Sequence, residues 1–319
     1  YPEPTVLMGA LAGRRNELSN IRIMGINPGH DPGWYEPDWS NSFNVVVQNY
    51  LGQVARPAYH NNLIDYYAAI YSQQFKHYEE HRDPKQHLDV NLALISTPDE
   101  NGFCSFGAGV WDKRKMAEVA TIVLAQVDPS LIRTYGTNYI HVSDIAKFVE
   151  HARPEMTLEE GEGLISQVAD PSVRTQLQRI SSLLPDTQRH QYLPDLCEAD
   201  HDQLRQFSRI PGMAEPPPQA QRIADYVSEL IRDGDTLQIG AGTPSGFVAR
   251  LGALDDKKDL GWHSEMGARG VVRLIEEGVI NGSRKSLNVG VAVFTSLSGC
   301  SPEEIEYAAD NPLIELRDV

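Results

Sequence analysis

The sequence is poor in cysteine. Cys104, Cys197 and Cys300 are odd in number and far apart. That excludes a disulfide framework and a thiolate zinc site, and reads as reduced thiols in a cytoplasmic protein. No apolar run reaches the length of a membrane span, so no membrane partner is expected. The opening YPEPTVLMGALAGRR has no basic lead and no cleavage pattern, so it is not a signal peptide. Tyr1 stands where an initiator Met would, and the chain is expected to be a fragment. Basic residues are outnumbered: 28 Lys and Arg face 44 Asp and Glu, for a formal net charge of −16. A nucleic-acid partner held through its phosphates calls for a basic face and is not expected. An anionic small molecule stays open, because a local basic cluster can oppose the global sign. No G-x-S-x-G occurs, so a serine hydrolase has no anchor.

What is present is an ordinary globular composition, 41% hydrophobic and 23% charged, over 319 residues, enough for two domains. The patterning predicts a helix over 4–18, a strand IRIMGI at 21–26, and helices over 43–53 and 62–80. It predicts strands LDVNLALIS (88–96) and ATIVLAQV (120–127), with a helix near 112–119 between them. Strands alternating with helices indicate an α/β fold with mostly parallel sheets. Residues 155–215 are polar, helical in pattern and end in GMAEPPPQ. A second α/β unit follows: helix 219–232, strand DTLQI (235–239), the turn GAGTPSG (240–246), and a helix running into Leu251. A helix at 268–277 and strands near 285–295 complete it. The expected division is an N-terminal α/β domain over 1–154, a helical insertion or linker over 155–217, and the start of a second α/β domain over 218–319.

Several motifs invite a chemical reading. GAGTPSG approaches a dinucleotide fingerprint, in which glycines let backbone N–H groups meet an anion at a helix N-terminus. No acid stands where a ribose partner belongs, so a tight strand-to-helix turn is the stronger reading. HYEEH (77–81) fits H-x-x-E-H, but its polar surroundings favour a solvated helix end, and no metal is expected. Cys104 has no basic neighbour and reads as a buried thiol. His141 and His263, in apolar or Gly-flanked contexts, fit satisfied core histidines.

GWHSEMGARG (261–270) places one carboxylate, Glu265, among small residues. It is a surface charge, a cap for a helix starting near Gly267, or a nucleophile. A carboxylate nucleophile attacks an activated carbonyl to give a mixed anhydride. That needs close approach, which small neighbours permit, and donors for the oxyanion, which Gln238 and the turn to Gly242 offer.

Two long stretches resemble one family. TLQIGAGTPSGFVARLG and KDLGWHSEMGARGVVRLIEEGVING in the second half, with DVNLALISTPDENGFCSFGAGV and TIVLAQVDPSLIRTYGTNYIHVSDI in the first, are similar to the acetyl-CoA hydrolase/transferase family. That family includes the 4-hydroxybutyrate CoA-transferases. The resemblance implies a CoA-transferase-like fold of two related open, mostly parallel sheets with flanking helices. It implies Glu265 as the nucleophile, with Gln238 and the loop Gly240, Ala241 and Gly242 supporting the oxyanion. Ser105, Gly107, His263 and Arg269 become candidates for facing the substrate, and Arg269 and Arg273 for setting the field or touching CoA. The implied reaction moves CoA between an acyl-CoA and a small carboxylate through a glutamyl-CoA thioester. An acyl-CoA hydrolase on the same site is the alternative. A nicotinamide enzyme and a non-catalytic subunit are weaker readings. CoA and acyl-CoA are expected as substrates, with no permanently bound cofactor, in a homo-oligomer, dimer or tetramer. This chain departs from the family in having Ser264 where Thr is common, in a loop one residue shorter, and in lacking the family's opening and closing segments.

Overall fold

The computed structural model describes residues 3–49, 51–80, 87–199, 204, 207, 215–240, 242 and 244–318. The chain forms two compact units. One comprises Tyr1–Leu131, Thr137–His151 and Asp318–Val319, the other Ile132–Gly136 and Ala152–Arg317.

The first unit opens with α1 (Thr5–Gly13), β1 (Ile21–Ile26), β2 (Phe43–Gln48), α2 (Gly52–His60), β3 (Asp65–Tyr67) and the single turn α3 (Lys76–Glu79). It continues with β4 (Val90–Ile95), β5 (Phe103–Ser105), α4 (Lys113–Val119) and β6 (Ile122–Val127). After β7 (Tyr135–Gly136), which belongs to the second unit, come β8 (Tyr139–His141) and β9 (Lys147–Glu150). Strands β1-β2-β3 and β4-β6-β9 form two parallel sheets, and β5 pairs with β8 antiparallel.

The helix expected over 43–53 is replaced by β2 and the start of α2. FNVVVQ carries three adjacent β-branched valines, which lose rotamer freedom in a helix and pack well on a pleat. Five of the six β2 residues are buried. A parallel strand covered on both faces shows no alternation, which blurs its periodicity. Of the helix expected over 62–80 only the single turn α3 forms. Asn62, at φ +57°, ends the preceding helix, and Tyr66 and Tyr67 pair with β2. The core beneath β2 gathers Met8, Ala12, Trp34, Phe43, Val45 and Val47, with Trp34 edge-on to Phe43.

The second unit holds the helices α5 (Leu158–Ile165), α6 (Pro171–Ser182) and α7 (Asp186–Glu198), then α8 (Ala220–Leu230), β10 (Thr236–Leu237) and β11 (Gly261–Met266). It ends with α9 (Val271–Glu276), β12 (Ala292–Ser296), α10 (Pro302–Ala308) and β13 (Ile314–Leu316). Thr157 and Glu160 form a capping box at α5, and Asp170 caps α6 ahead of Pro171. Leu177, Ile180, Leu184 and Leu193 make a separate core, with Ile165 beside them. Arg189, buried there, donates to the carbonyls of Met156 (2.7 Å) and Ser181 (3.1 Å) and pairs with Asp186.

The sheet order is β10-β11-β12-β13-β7, with every neighbouring pair parallel. The mostly parallel α/β architecture expected from the sequence is present, its strands shared among four sheets. Three local expectations differ. GAGTPSG leads into a 3-10 turn at Ser245–Phe247 and further turns, not an α-helix. The glycines and Pro244 disfavour helix nucleation there. Helix α9 starts at Val271, not near 268, because Gly270 at φ +89° precedes it. Strand β12 begins only at Ala292, after a turn over 281–291.

Candidate active site

Glu265 is the penultimate residue of β11, at the carboxyl end of a parallel sheet, where ligands of open α/β sheets bind. It is not a helix cap, since α9 begins six residues later. Alternation along β11 buries Trp262, Ser264 and Met266 on one face and puts His263 and Glu265 on the other. Glu265 is half-buried, and among the described residues its carboxylate has no hydrogen-bond or ion-pair partner.

The turn beside it is fixed by Ser264. The β10–β11 ladder pairs only Thr236 with Gly261 and Leu237 with Trp262. One step further the Ser264 hydroxyl takes the place of the ladder. It donates to the Ile239 carbonyl (2.9 Å) and accepts from the Ile239 N–H (3.2 Å). DTLQI is therefore a two-residue strand, and the chain leaves the sheet as it enters the glycine loop. The Gln238 amide, exposed, donates to the Ile239 carbonyl (3.1 Å). The Ser245 hydroxyl donates to the carbonyls of Gly240 (3.1 Å) and Gly242 (3.0 Å). Among the described residues, neither the Gly240 nor the Gly242 N–H has an acceptor. Ala241 lies outside the described residues.

His263 is exposed, so it is not a core histidine. Its pKa is lowered by partial burial and by the charges of Lys285 and Arg317, which favours the neutral ring. Lys285 was not singled out in the sequence. It is buried and donates to the carbonyls of Trp262 (3.0 Å) and Val291 (2.8 Å), which bolts β11 to the turn before β12. Ser264 stood out in the sequence only as a serine where the family commonly has Thr; its bonds to Ile239 are a tertiary fact. Gly267 serves packing: a Cβ there would lie 2.5 Å from the Cys300 sulfur. Its smallness therefore belongs to the 297–300 turn and not to substrate approach.

Arg273 is engaged with Asp255 (2.7 Å) and Glu277 (2.8 Å). The half-buried Arg269 has no acceptor for its Nε or Nη2 among the described residues, and burial and Arg250 lower its pKa.

Ser105 and Gly107 lie in the first unit. Both are buried, Ser105 as the last residue of β5, and the Gly107 N–H donates to the Ser105 hydroxyl (3.0 Å). Asn138 donates to the Gly107 carbonyl (2.6 Å). Gly107 is at φ +80°, and a Cβ there would meet Leu131 at 2.9 Å. His141 accepts from the Ser143 N–H and holds a 3-10 turn. Cys104 is buried, as expected. For HYEEH, His81 and the His77 imidazole lie outside the described residues. Among the described residues no cluster of three metal-ligating side chains occurs, and no helix is long and apolar enough to cross a membrane. The α-helix a dinucleotide fingerprint needs behind GAGTPSG is missing.

By architecture this is an α/β chain of the CoA-transferase fold. It superposes on a 4-hydroxybutyrate CoA-transferase from Porphyromonas gingivalis with a TM-score of 0.56 at 26% identity, over 86% of this chain and 56% of that one. It superposes on RipA from Yersinia pestis with a TM-score of 0.69 at 22% identity, over 99% of this chain and 62% of that one. In sequence it is 29% identical over 317 residues to the 4-hydroxybutyrate coenzyme A transferase of Clostridium kluyveri, over 99% of this chain and 60% of the relative. Other curated relatives are named CoA transferases as well. The chain is thus a homologue of the 4-hydroxybutyrate CoA-transferases and other CoA-transferases. It spans about 60% of the length of these curated relatives. No family model matches the chain.

Proposed function

We propose that the protein to which this chain belongs is a CoA-transferase and that Glu265 is its nucleophile. The supporting observation is the partnerless, half-buried Glu265 carboxylate at the carboxyl edge of the parallel sheet. A carboxylate committed to an ion pair would be a poor nucleophile. This one is held by its strand while the Ser264–Ile239 bonds set the glycine loop beside it.

The reaction is ping-pong. A Glu265 oxygen attacks the thioester carbonyl of an acyl-CoA, and the carbonyl electrons move to oxygen. The open N–H groups of Gly240 and Gly242, with the Gln238 amide, are the candidate donors to that oxyanion. Such a donor is worth ~3 kcal/mol. The oxyanion collapses, CoA leaves as thiolate, and an acyl-glutamyl anhydride remains. The thiolate then attacks the glutamyl carbonyl and releases the acyl group as a carboxylate. The resulting glutamyl-CoA thioester is attacked by an incoming carboxylate, and CoA passes to it through a second anhydride. Glu265 is regenerated. Water reaching an intermediate would turn the same site into a hydrolase, so the seclusion of the anhydride decides the outcome.

The test is a covalent trap on the whole protein. Incubation with acetyl-CoA, borohydride reduction and peptide mass analysis should show the Glu265 side chain reduced to the alcohol. Glu265→Gln should give no such product while folding normally. An unreduced Glu265 peptide, in protein shown to bind CoA, rejects the nucleophile assignment.

A further inference from the structure

Gly240 and Gly242 present donors that the fold itself does not use. A Cβ at either would meet nothing within 4 Å, and neither has a φ in the left-handed region, so neither packing nor backbone conformation demands glycine there. Among the described residues their N–H groups have no acceptor. What the chain does control is how the first of these groups is aimed, and the control lies in Ser264.

The backbone ladder between β10 and β11 ends at Leu237 and Trp262. Beyond it a single hydroxyl takes both backbone groups of Ile239, accepting from its N–H (3.2 Å) and donating to its carbonyl (2.9 Å). The two bonds fix two consecutive peptide planes, 238–239 and 239–240. A trans peptide is planar, with its N–H antiparallel to its carbonyl. Holding the Ile239 carbonyl therefore fixes the direction of the Gly240 N–H. The next carbonyl, that of Gly240, is held by the Ser245 hydroxyl (3.1 Å). Gly240, a residue with wide backbone freedom, thus sits between two held carbonyls. The Gln238 amide also donates to the Ile239 carbonyl, but it belongs to the same short segment and moves with it. Among the described residues, Ser264 alone ties Ile239 to β11. Ser264 is itself well fixed: it is 4% exposed and pairs through its backbone with Phe294 of β12. Its side chain lies on the face of β11 opposite Glu265, so it acts on the site only through Ile239.

We propose that Ser264 is a positioning residue for CoA transfer: its hydroxyl, acting through Ile239, fixes the Ile239–Gly240 peptide and with it the Gly240 N–H that meets the oxyanion. The inference rests on the reading of Glu265 as nucleophile and of the glycine loop as oxyanion donor. Removing one oxyanion donor costs about 10²–10³ in kcat, and a misaimed donor forfeits part of that.

The experiment follows single-turnover formation of the glutamyl-CoA thioester on the whole protein with acetyl-CoA, quenched with borohydride at successive times and read as the reduced Glu265 peptide. Ser264→Ala should lower the maximal rate about tenfold or more, while the acetyl-CoA concentration giving half that rate stays within about threefold, because the interaction lost is one made in the transition state. Ser264→Thr keeps the hydroxyl and should return to within about threefold of the wild-type rate. Ser264→Cys keeps the volume but offers only a weak S–H donor, so it should be as slow as alanine, and it carries the test should alanine fail to fold. Thermal unfolding shows which variants are folded at the assay temperature. A serine that served stability alone would leave the rate of folded protein unchanged. A wild-type rate in the folded alanine or cysteine variant overturns the proposal, as does a threonine variant as slow as alanine. Absence of any trapped Glu265 in the wild type rejects the nucleophile itself, and this inference with it.

Discussion

Replacing Asp112 by Asn should change how stability depends on pH. Asp112 is 5% exposed and burial is the main cause of its shift, from 3.8 to about 6. The folded chain therefore holds this proton more tightly than the unfolded chain does. Between about pH 4 and pH 6 the folded state binds more protons, so stability falls as pH rises through that window. Above it, the ionised carboxylate keeps its full burial penalty. One pH unit of displacement is worth about 1.4 kcal/mol, so the loss amounts to about 3 kcal/mol. Asparagine keeps the shape and cannot ionise. Its own unpartnered amide costs the same at every pH and cancels from the comparison. The assay is urea unfolding at pH 4, 5, 6 and 7, followed by tryptophan fluorescence, for which Trp111 is the adjacent reporter. The stability of Asp112→Asn minus that of the wild type should grow by about 3 kcal/mol from pH 4 to pH 7. Parallel pH profiles for the two proteins would refute the reasoning, because they would mean that Asp112 reaches water or a partner.

Two further outcomes follow from the second unit. Ser264→Ala removes both bonds to Ile239 and should cost about 2 kcal/mol by denaturant unfolding, while Ser264→Thr, which keeps the hydroxyl, should stay within about 1 kcal/mol of the wild type. If alanine and threonine behave alike, the hydroxyl does not hold the loop. Gly270→Ala asks an L side chain to adopt φ +89° with its Cβ 3.1 Å from the Arg250 backbone nitrogen. It should lower stability by at least about 1 kcal/mol, and a melting temperature equal to the wild type would show that the N-terminus of α9 can readjust.

The sequence by itself determined the α/β class and, among the described residues, the helices between 158 and 198. IRIMGI, LDVNLALIS and ATIVLAQV were legible as strands because their apolar runs are short and bounded by turn signals. The residue pattern around Glu265 carried the resemblance to CoA-transferases before any coordinate was known. Other features depended on partners distant in sequence. FNVVVQ is a strand because β1 and β3 flank it, and a strand buried on both faces has no period to read. DTLQI is cut to two residues by a hydroxyl 25 positions further along, at Ser264. Glu265 reads equally well as a cap, a surface charge or a nucleophile in the sequence, and the tertiary structure removes the cap by putting it near a strand end, six residues before α9. Asp112 shows the same limit more sharply. It stands at the N-cap position of α4 without making the capping bond, and burial decides the state of its carboxyl. Periodicity and turn chemistry act over a few residues and can be read from the chain. Burial, pairing and the state of a proton depend on residues that only folding brings near.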